Sequence, residues 1–147
     1  MPAPGVSSLR LVLDSSVVRA GFVSASGASR VLLGAALDGE VRAVASTALM
    51  LQYEDVLLRP ATLDAAGASA RDALRFLDGL CAVCVPVAID VLWRPASPDP
   101  GDDLVIDAAV NGLASVIATY DLRHLRPPAA RFGIAAERPV DVLRRLL

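Results

Sequence analysis

Residues 99–121, DPGDDLVIDAAVNGLASVIATYD, decide the fold of this protein. The apolar spacing from Asp103 to Leu113 predicts a helix, and the continuous apolar run SVIAT at 115–119 predicts a short buried strand. Asp121 follows two residues after that strand. A helix that leads into a fully apolar strand is typical of a parallel sheet with helices on both faces.

The same alternation of strands and helices continues on both sides of this stretch. Ser46 is predicted to cap a helix from Thr47 to Arg59, and Pro86 indicates an edge or an irregularity in its strand. We therefore predict a single α/β domain over residues 1–147, with three α/β/α layers and a central, mainly parallel sheet of four to five strands. The other predicted strands are 9–13 (LRLVL), 41–46 (VRAVAS), 83–89 (VCVPVAI) and 133–137 (GIAAE), and the other predicted helices lie within 26–40, 68–81 and 139–147.

The composition indicates a globular chain without a global basic excess. Hydrophobic residues make up 54% of the chain, charged residues make up 20%, and the net charge is -2. Cys81 and Cys84 form a C-x-x-C pair without a second cysteine pair, so we interpret them as structural thiols of a reducing compartment. The first residues form no long apolar leader segment, and we predict a cytoplasmic protein that does not enter a membrane.

Acidic residues follow the predicted strands at one edge of the sheet. Asp14 comes directly after the first strand, Asp121 follows the strand at 115–119, and Asp102 and Asp103 open the helix after the Pro-rich stretch. Ligands of such sheets bind beyond the carboxyl ends of the strands. Carboxylates that lie close together repel each other, and a divalent cation with a preference for oxygen ligands, Mg²⁺ or Mn²⁺, relieves that repulsion.

A second interpretation treats each acid alone as a helix cap or turn residue. Asp103 and Asp107, however, lie four residues apart and so share one face of their helix. We expect this acidic face to point toward the metal edge while the other sides of the helix pack in the core.

Four stretches of the sequence resemble the PIN-domain family of ribonucleases, which are common as toxins of bacterial toxin–antitoxin pairs. They are LVLDSSVV at 11–18, STALMLQYEDVLLRP at 46–60, WRPASPDPGDDLVIDAAVNGLASVIATYDLRHL at 93–125 and RFGIAAERPVDVLRRL at 131–146. The resemblance covers nearly the whole chain and implies a PIN-like fold and a metal-dependent ribonuclease activity.

The resemblance implies a role for each matched acid. Asp14, Asp103 and Asp121 correspond to catalytic metal ligands, and Asp102 and Asp107 compete with Asp103 or support it from further out. Ser16 and Thr119 correspond to supporting hydroxyl residues near the first and fourth acids, respectively.

The second motif departs from the family pattern. The family places an acid about six residues after the capping serine, where this chain has Gln52. Glu54 is the nearest acid, but helical geometry turns it about 200° away from position 52, so Gln52 is expected to face inward with Leu49 and Val56. His124 also stands where some relatives carry Asp. The resemblance therefore implies a less negative site with weaker metal binding.

The implied reaction is hydrolysis of single-stranded RNA with Mg²⁺ or Mn²⁺, in a chain that lacks a Ser-His-Asp or Cys-His arrangement. Four arginines are candidates for contacts to RNA phosphates, although each is also consistent with an ordinary solvated surface residue: Arg19, Arg94, Arg123 and Arg126. The resemblance also implies an antitoxin partner and a homodimer, with helices near residues 47–80 as a candidate interface.

Two other functions fit some of the same residues. A PIN module without catalytic activity that binds RNA or a partner protein is favoured by Gln52 and His124. A haloacid-dehalogenase-like phosphatase also places an Asp after its first strand, but it needs a second Asp where this chain has Ser16 and a lysine that this chain lacks.

Overall fold

A computed structural model describes residues 9–92 and 99–147, which form five strands and eight helices. All strand pairs are parallel, and the order across the sheet is β3-β2-β1-β4-β5. The strands are β1 (Arg10–Leu13), β2 (Arg42–Ala45), β3 (Val85–Pro86), β4 (Val116–Ala118) and β5 (Ala135–Glu137). The predicted three-layer α/β/α architecture is confirmed.

Seven helices of the described ranges lie between successive parallel strands, and the last helix follows β5. The helices are α1 (Ser15–Val23), α2 (Ala28–Leu37), α3 (Thr47–Leu57), α4 (Pro60–Ala66), α5 (Ala70–Val83), α6 (Pro100–Asn111), α7 (Leu122–Ala130) and α8 (Pro139–Arg144). Ser46 caps α3 as predicted, since its hydroxyl accepts a 3.1 Å hydrogen bond from the backbone N–H of Leu49. Ser69 and Asp72 form a reciprocal capping box at the start of α5.

The centre of the sheet consists of fully buried aliphatic strands. The residues of β1 from Leu11 to Leu13 and all three residues of β4 are buried, because both faces of these strands are covered by helices. β1 pairs with β2 on one side and with β4 on the other. The chain adds β2 and β3 on one side of β1 and then returns to the other side of β1 to add β4 and β5. A crevice opens beyond the carboxyl ends of the strands at such a switch point, and this crevice is where Asp14 and Asp121 lie.

The predicted third strand is wrong in extent. Residues 83–89 were expected to be extended, but α5 continues to Val83 and only Val85 and Pro86 pair with β2. Pro86 does mark an edge strand, as expected, because a proline cannot donate a hydrogen bond to a further neighbour.

Several helix boundaries also differ from the sequence prediction. α6 begins at Pro100 rather than at Asp103, because Asp99 caps it by accepting a 2.9 Å hydrogen bond from the N–H of Gly101 and Pro100 fits the first turn. Three helices were not predicted, namely α1, α4 and α7, and α7 contains two prolines. The part of the Pro-rich stretch at 93–98 lies outside the described residues.

No single helix within the described ranges has both the length and the apolar character needed to cross a membrane. Only α1 and α2 taken together meet that criterion, and a bend of 102° separates them.

Candidate active site at the carboxyl edge of the sheet

Asp14 lies at the carboxyl end of β1 with its side chain held by two hydroxyl groups. Its Oδ2 atom accepts hydrogen bonds from the Ser16 hydroxyl at 2.8 Å and from the Thr119 hydroxyl at 2.7 Å. Asp14 is the N-cap residue of α1, yet its side chain does not cap that helix. Both hydrogen bonds converge on Oδ2, and within residues 9–92 and 99–147 no donor reaches Oδ1, so this oxygen is available to a ligand.

Thr119 connects the carboxyl end of β1 to the carboxyl end of β4. Its hydroxyl, which donates to Asp14, also accepts a 2.9 Å hydrogen bond from the backbone N–H of Asp121. The Ser16 hydroxyl accepts a 3.3 Å hydrogen bond from the N–H of Tyr120, which lies between Thr119 and Asp121. The segments that directly follow β1 and β4 are therefore bonded to each other through the hydroxyls of Thr119 and Ser16.

Asp121 stands at the open side of this arrangement. Its side chain is 42% exposed, and its Oδ1 lies 2.8 Å from Nδ1 of His124, one turn along α7. His124 is itself 62% exposed. The imidazole therefore contacts Asp121, which is the most exposed of the five aspartates predicted for the site.

The acids of α6 are more buried than the sequence suggested. Asp102, Asp103 and Asp107 are each less than a tenth exposed. Ile106 between them is fully buried, whereas Leu104 is half-buried. The expected orientation of the acidic face toward the metal edge stays a prediction, because burial alone does not give the direction of these side chains. α6 packs against β1, β2, β4 and α3, so it is enclosed around most of its circumference.

Gln52 occupies the inner side of α3, as predicted, with Leu49 and Val56. Its Oε1 atom is buried and has no hydrogen-bond partner among residues 9–92 and 99–147. Its Nε2 atom lies 3.0 Å from the point where a side-chain Cβ at Gly101 would stand, which places this amide against the first turn of α6. A buried carbonyl without a donor costs about 1–3 kcal/mol, and a cation or a bound donor would remove that cost.

Tyr53 contacts the residue before Asp14, whereas Asn111 lies at the carboxyl end of α6, away from the strand ends that carry Asp14 and Asp121; neither was predicted from the sequence. The buried Tyr53 hydroxyl donates to the carbonyl oxygen of Leu13, and burial, then Cys84, then Asp14 raise the pKa of Tyr53 well above its usual value. Asn111 accepts hydrogen bonds from the N–H groups of Asp90 and Val91 and donates to the Asp107 carbonyl. A tyrosine or an asparagine within an otherwise apolar helical face is the signal that could have identified each of them.

The sequence of residues 10–123 matches the PIN domain family. The match includes β1, α6 and β4, and with them every residue that contacts Asp14 through a side-chain hydroxyl. The chain is a PIN domain. Membership of this family supports a nuclease-type function. Among curated proteins, none matches the chain significantly.

Two of the predicted phosphate-binding arginines of this PIN domain have other partners. Nε of Arg19 donates to the hydroxyl of Thr62 on α4 at 3.2 Å, and Nε of Arg126 donates to the carbonyl of Ala136 on β5 at 3.2 Å. Arg123 is exposed on α7, next to His124, and Arg94 lies outside the described residues. Arg123 is therefore the described arginine that combines an exposed position with proximity in sequence to Asp121.

The expectation that Glu54, the remaining supporting residue, does not replace the missing acid stays a prediction. Glu54 is half-buried on α3, and its carboxylate makes no hydrogen bond or ion pair within the described part of the chain. Gln52, not Glu54, is the α3 side chain that lies against Gly101.

The candidate ligands of the PIN domain are all oxygen atoms, which suits Mg²⁺ or Mn²⁺ rather than a softer ion. They are the carboxylates of Asp14, Asp103 and Asp121 and the unpartnered amide oxygen of Gln52. Within residues 9–92 and 99–147, no three His, Cys, Asp or Glu side chains form a group that could hold one metal ion. The chemistry of the donors therefore fits a divalent ion. In the described residues, however, three acidic side chains do not already lie close enough together to bind one ion.

Proposed function

We propose that this PIN domain is a Mg²⁺- or Mn²⁺-dependent endoribonuclease that cleaves single-stranded RNA and acts as the toxin of a toxin–antitoxin pair. The observation that carries this proposal is the fixed carboxylate of Asp14 at the switch point of the sheet, with one oxygen bound by two hydroxyls and the other available. Asp121 is joined to the same hydroxyl through its backbone.

The residues of the chain would orient the reacting groups before RNA binds. Ser16 and Thr119 restrict rotation of the Asp14 carboxylate, since a change of its orientation would break both hydrogen bonds. A ligand group held in one orientation does not need to be ordered during the reaction, and this lowers the activation barrier.

Asp14, Asp103 and Asp121 would hold the ion, and the amide oxygen of Gln52 would contribute a neutral donor. When bound, a divalent ion lowers the pKa of an attacking water and stabilises the charge that develops on the phosphate. Gln52 leaves the site with one negative charge fewer than the usual family pattern, so the expected metal affinity is lower.

RNA would approach the exposed side of the site, where Asp121 and His124 lie. Arg123 precedes His124 on α7 and would contact a phosphate, which a guanidinium can bind with two parallel hydrogen bonds. Single-stranded RNA suits this site because its backbone can be brought close to recessed carboxylates.

RNA cleavage with different metal ions tests the proposal. The wild-type chain should cut a mixed single-stranded RNA pool with Mn²⁺ or Mg²⁺ and should lose this activity with EDTA. Asp14→Asn should be inactive, whereas Asp38→Asn should remain active, because Asp38 is an exposed residue at the end of α2, just before the chain enters β2 at its amino end. If the wild-type chain leaves the RNA intact with every metal ion, the proposed nuclease activity is refuted.

A catalytically weakened module that binds RNA or a partner protein is the second candidate function, and Gln52 favours it. Gln52→Glu distinguishes the nuclease from the binding module. The substitution places a carboxylate, with the same shape as the glutamine amide, against the first turn of α6. A sharp gain of cleavage over a weak wild-type level would show that the chain has lost catalytic strength. RNA binding without cleavage in both proteins would instead support the module.

The toxin role has its own test. Production of the wild-type chain should arrest growth of a bacterial host, and Asp14→Asn at the same protein level should not. Co-production of an antitoxin would relieve the arrest. The exposed Leu51 on α3 and Leu74 on α5 lie in the segment proposed for that contact or for a homodimer.

Family membership leaves the alternative function, a haloacid-dehalogenase-like phosphatase, without support.

A further inference from the structure

A cavity lies between α3, α5 and the carboxyl ends of β2 and β3, and none of the described residues that form hydrogen bonds with Asp14 lines it. Its volume is about 220 Å³. Two polar residues from the start of α3, Ser46 and Thr47, line one part of it. The proposed nuclease function uses none of the side chains that line this cavity.

The other notable lining residues all contain sulfur. Met50, Cys81 and Cys84 line this one cavity, and they are the sulfur-containing residues of ranges 9–92 and 99–147. The three come from two separate elements, since Met50 lies on α3 while Cys81 and Cys84 lie at the carboxyl end of α5. Core packing of sulfur side chains requires no such concentration around an open cavity.

The spacing of the two cysteines suits a shared ligand. Cys81 lies within α5 and Cys84 is the residue that ends it, so their Cα atoms are about 5 Å apart by helical geometry. Both cysteines are free thiols; Cys81 is exposed and Cys84 is partly buried. A ligand can therefore enter from solvent at Cys81 and contact the more enclosed Cys84.

We propose that Met50, Cys81 and Cys84 form a binding site for a soft monovalent metal ion, Cu⁺. Two thiolates and one thioether are the ligand types that favour Cu⁺ over harder ions. The cysteines provide the two strong ligands, and the Met50 sulfur, from the facing helix, provides a third and weaker one. Each bound Cu⁺ displaces one proton from each thiol, so two protons are released and no electron is transferred.

The chemistry of the cavity argues against zinc. A structural zinc ion takes four ligands, usually Cys and His, sometimes Asp or Glu. The cavity lining contains two cysteines but no histidine or carboxylate. The number and the softness of its donors thus match Cu⁺ better than Zn²⁺.

The surroundings of Cys84 keep its thiol neutral when no cation is bound. Burial and the neighbouring Cys81 raise the pKa of the Cys84 thiol to about 12. A bound cation would favour the thiolate and would therefore reverse this preference.

Competition for copper tests this site. The chain is reduced, two free thiols are counted, and it is titrated without oxygen into the coloured Cu⁺ complex of bicinchoninate. We expect uptake of one Cu⁺ per chain by the wild type, loss of uptake in Cys81→Ser and in Cys84→Ser, and weaker uptake in Met50→Leu. Thr47→Ala is the matched control, because Thr47 lines the same cavity without sulfur, and its uptake should equal that of the wild type.

Three results would overturn the proposal. They are failure of the reduced wild type to remove Cu⁺ from bicinchoninate, equal uptake by Cys81→Ser, and a preference for Zn²⁺ when both ions are offered. Met50→Leu conserves volume and Cys81 is exposed, so these two variants should fold and keep the test decisive if Cys84→Ser does not. Copper uptake is measured without RNA, so it is independent of the nuclease proposal.

Discussion

The hydroxyl of Thr119 donates a 2.7 Å hydrogen bond to Oδ2 of Asp14, although the two residues are 105 positions apart in the chain. This contact joins the ends of β1 and β4, which are neighbours in the sheet. It also holds Asp121, since the same hydroxyl accepts from the Asp121 N–H. One buried threonine thus positions two of the proposed metal ligands.

Replacement of this threonine should affect both stability and activity. Thr119→Val keeps the branched shape but removes the hydroxyl, so Asp14 loses a donor and the Asp121 N–H loses an acceptor. We expect the free energy of unfolding to fall by about 1–3 kcal/mol and RNA cleavage to fall strongly. Urea unfolding and a cleavage assay measure the two effects. Thr119→Ser retains the hydroxyl, and a loss of activity equal to that of Thr119→Val would contradict the assigned role.

The close approach of Gln52 to Gly101 gives a second prediction. In Gly101→Ala the new Cβ would lie 3.0 Å from Nε2 of Gln52 and 3.3 Å from Oδ1 of Asp99, so the amide must shift. Because Nε2 is the end of a flexible side chain, we expect a change of less than about 1 kcal/mol in unfolding free energy. Binding of Mn²⁺ to the folded state should raise the Tm of the wild type, and this rise should be smaller in Gly101→Ala.

Gly79→Ala is the control for that experiment. Gly79 lies on α5, where an added Cβ would meet no atom within 4 Å, and this variant should keep the full response to Mn²⁺. An unchanged response in Gly101→Ala would mean that Gln52 does not contribute to metal binding.

Two helical glycines should respond to alanine in opposite directions. At Gly21 on α1 a Cβ would lie 2.2 Å from Cδ1 of the buried Leu33, whereas at Gly34 on α2 it would meet no atom within 4 Å. We expect Gly21→Ala to lower the unfolding free energy by about 1–3 kcal/mol because it overpacks the α1–α2 contact. Gly34→Ala should raise it by about 0.5–1 kcal/mol through higher helix propensity. Chemical unfolding of both variants checks the two signs, and equal shifts would refute the described packing of α1 on α2.

The Glu137–Arg145 pair should make stability depend on pH. Hydrogen bonds from the Arg145 guanidinium lower the pKa of Glu137, with a smaller effect from the charge of Arg126. Since the folded-state pKa lies below the unfolded-state value, the pair stabilises the fold above the unfolded pKa of about 4.3. This stabilisation is lost as the pH falls through the folded pKa.

Unfolding measurements on Glu137→Gln at several pH values check this prediction. Because the pair is partly exposed, we expect the variant to be less stable by at most about 1 kcal/mol at pH 7. The difference from the wild type should shrink below about pH 4. Glu40→Gln, in the exposed turn after α2, should show no such trend. A difference that stays constant down to pH 2 would contradict the lowered pKa.

The two cysteines should differ in reactivity toward alkylating agents. Cys81 is exposed, whereas burial and the neighbouring Cys81 raise the pKa of Cys84 to about 12, and only the thiolate is a good nucleophile. We expect iodoacetamide at pH 8 to modify Cys81 well before Cys84 in the folded chain. Mass spectrometry of peptides follows both sites over time. In urea the two rates should become similar, and equal rates in the folded chain would refute the burial of Cys84.

The sequence predicted those parts of the fold that depend on local patterns. Continuous apolar runs identified β1, β2, β4 and β5, and a serine cap identified the start of α3. The extent of β3 was mispredicted because VCVPVAI is apolar throughout, and an apolar run alone does not distinguish a strand from the last turn of a buried helix. α7 was not predicted because it contains two prolines, which usually interrupt a helix.

The sequence by itself determined which chemical groups follow the strands: Asp14 and Asp121 at strand ends, and an amide instead of an acid at position 52. Order along the chain and side-chain periodicity suffice for that, because the carboxyl ends of parallel strands meet at one edge. Only the tertiary structure decided that Thr119 and Ser16 bind the same oxygen of Asp14, that Gln52 lies against Gly101, and that Arg19 and Arg126 contact other elements. Most of these contacts join residues far apart in sequence, and their geometry is set by the packing of whole helices on the sheet.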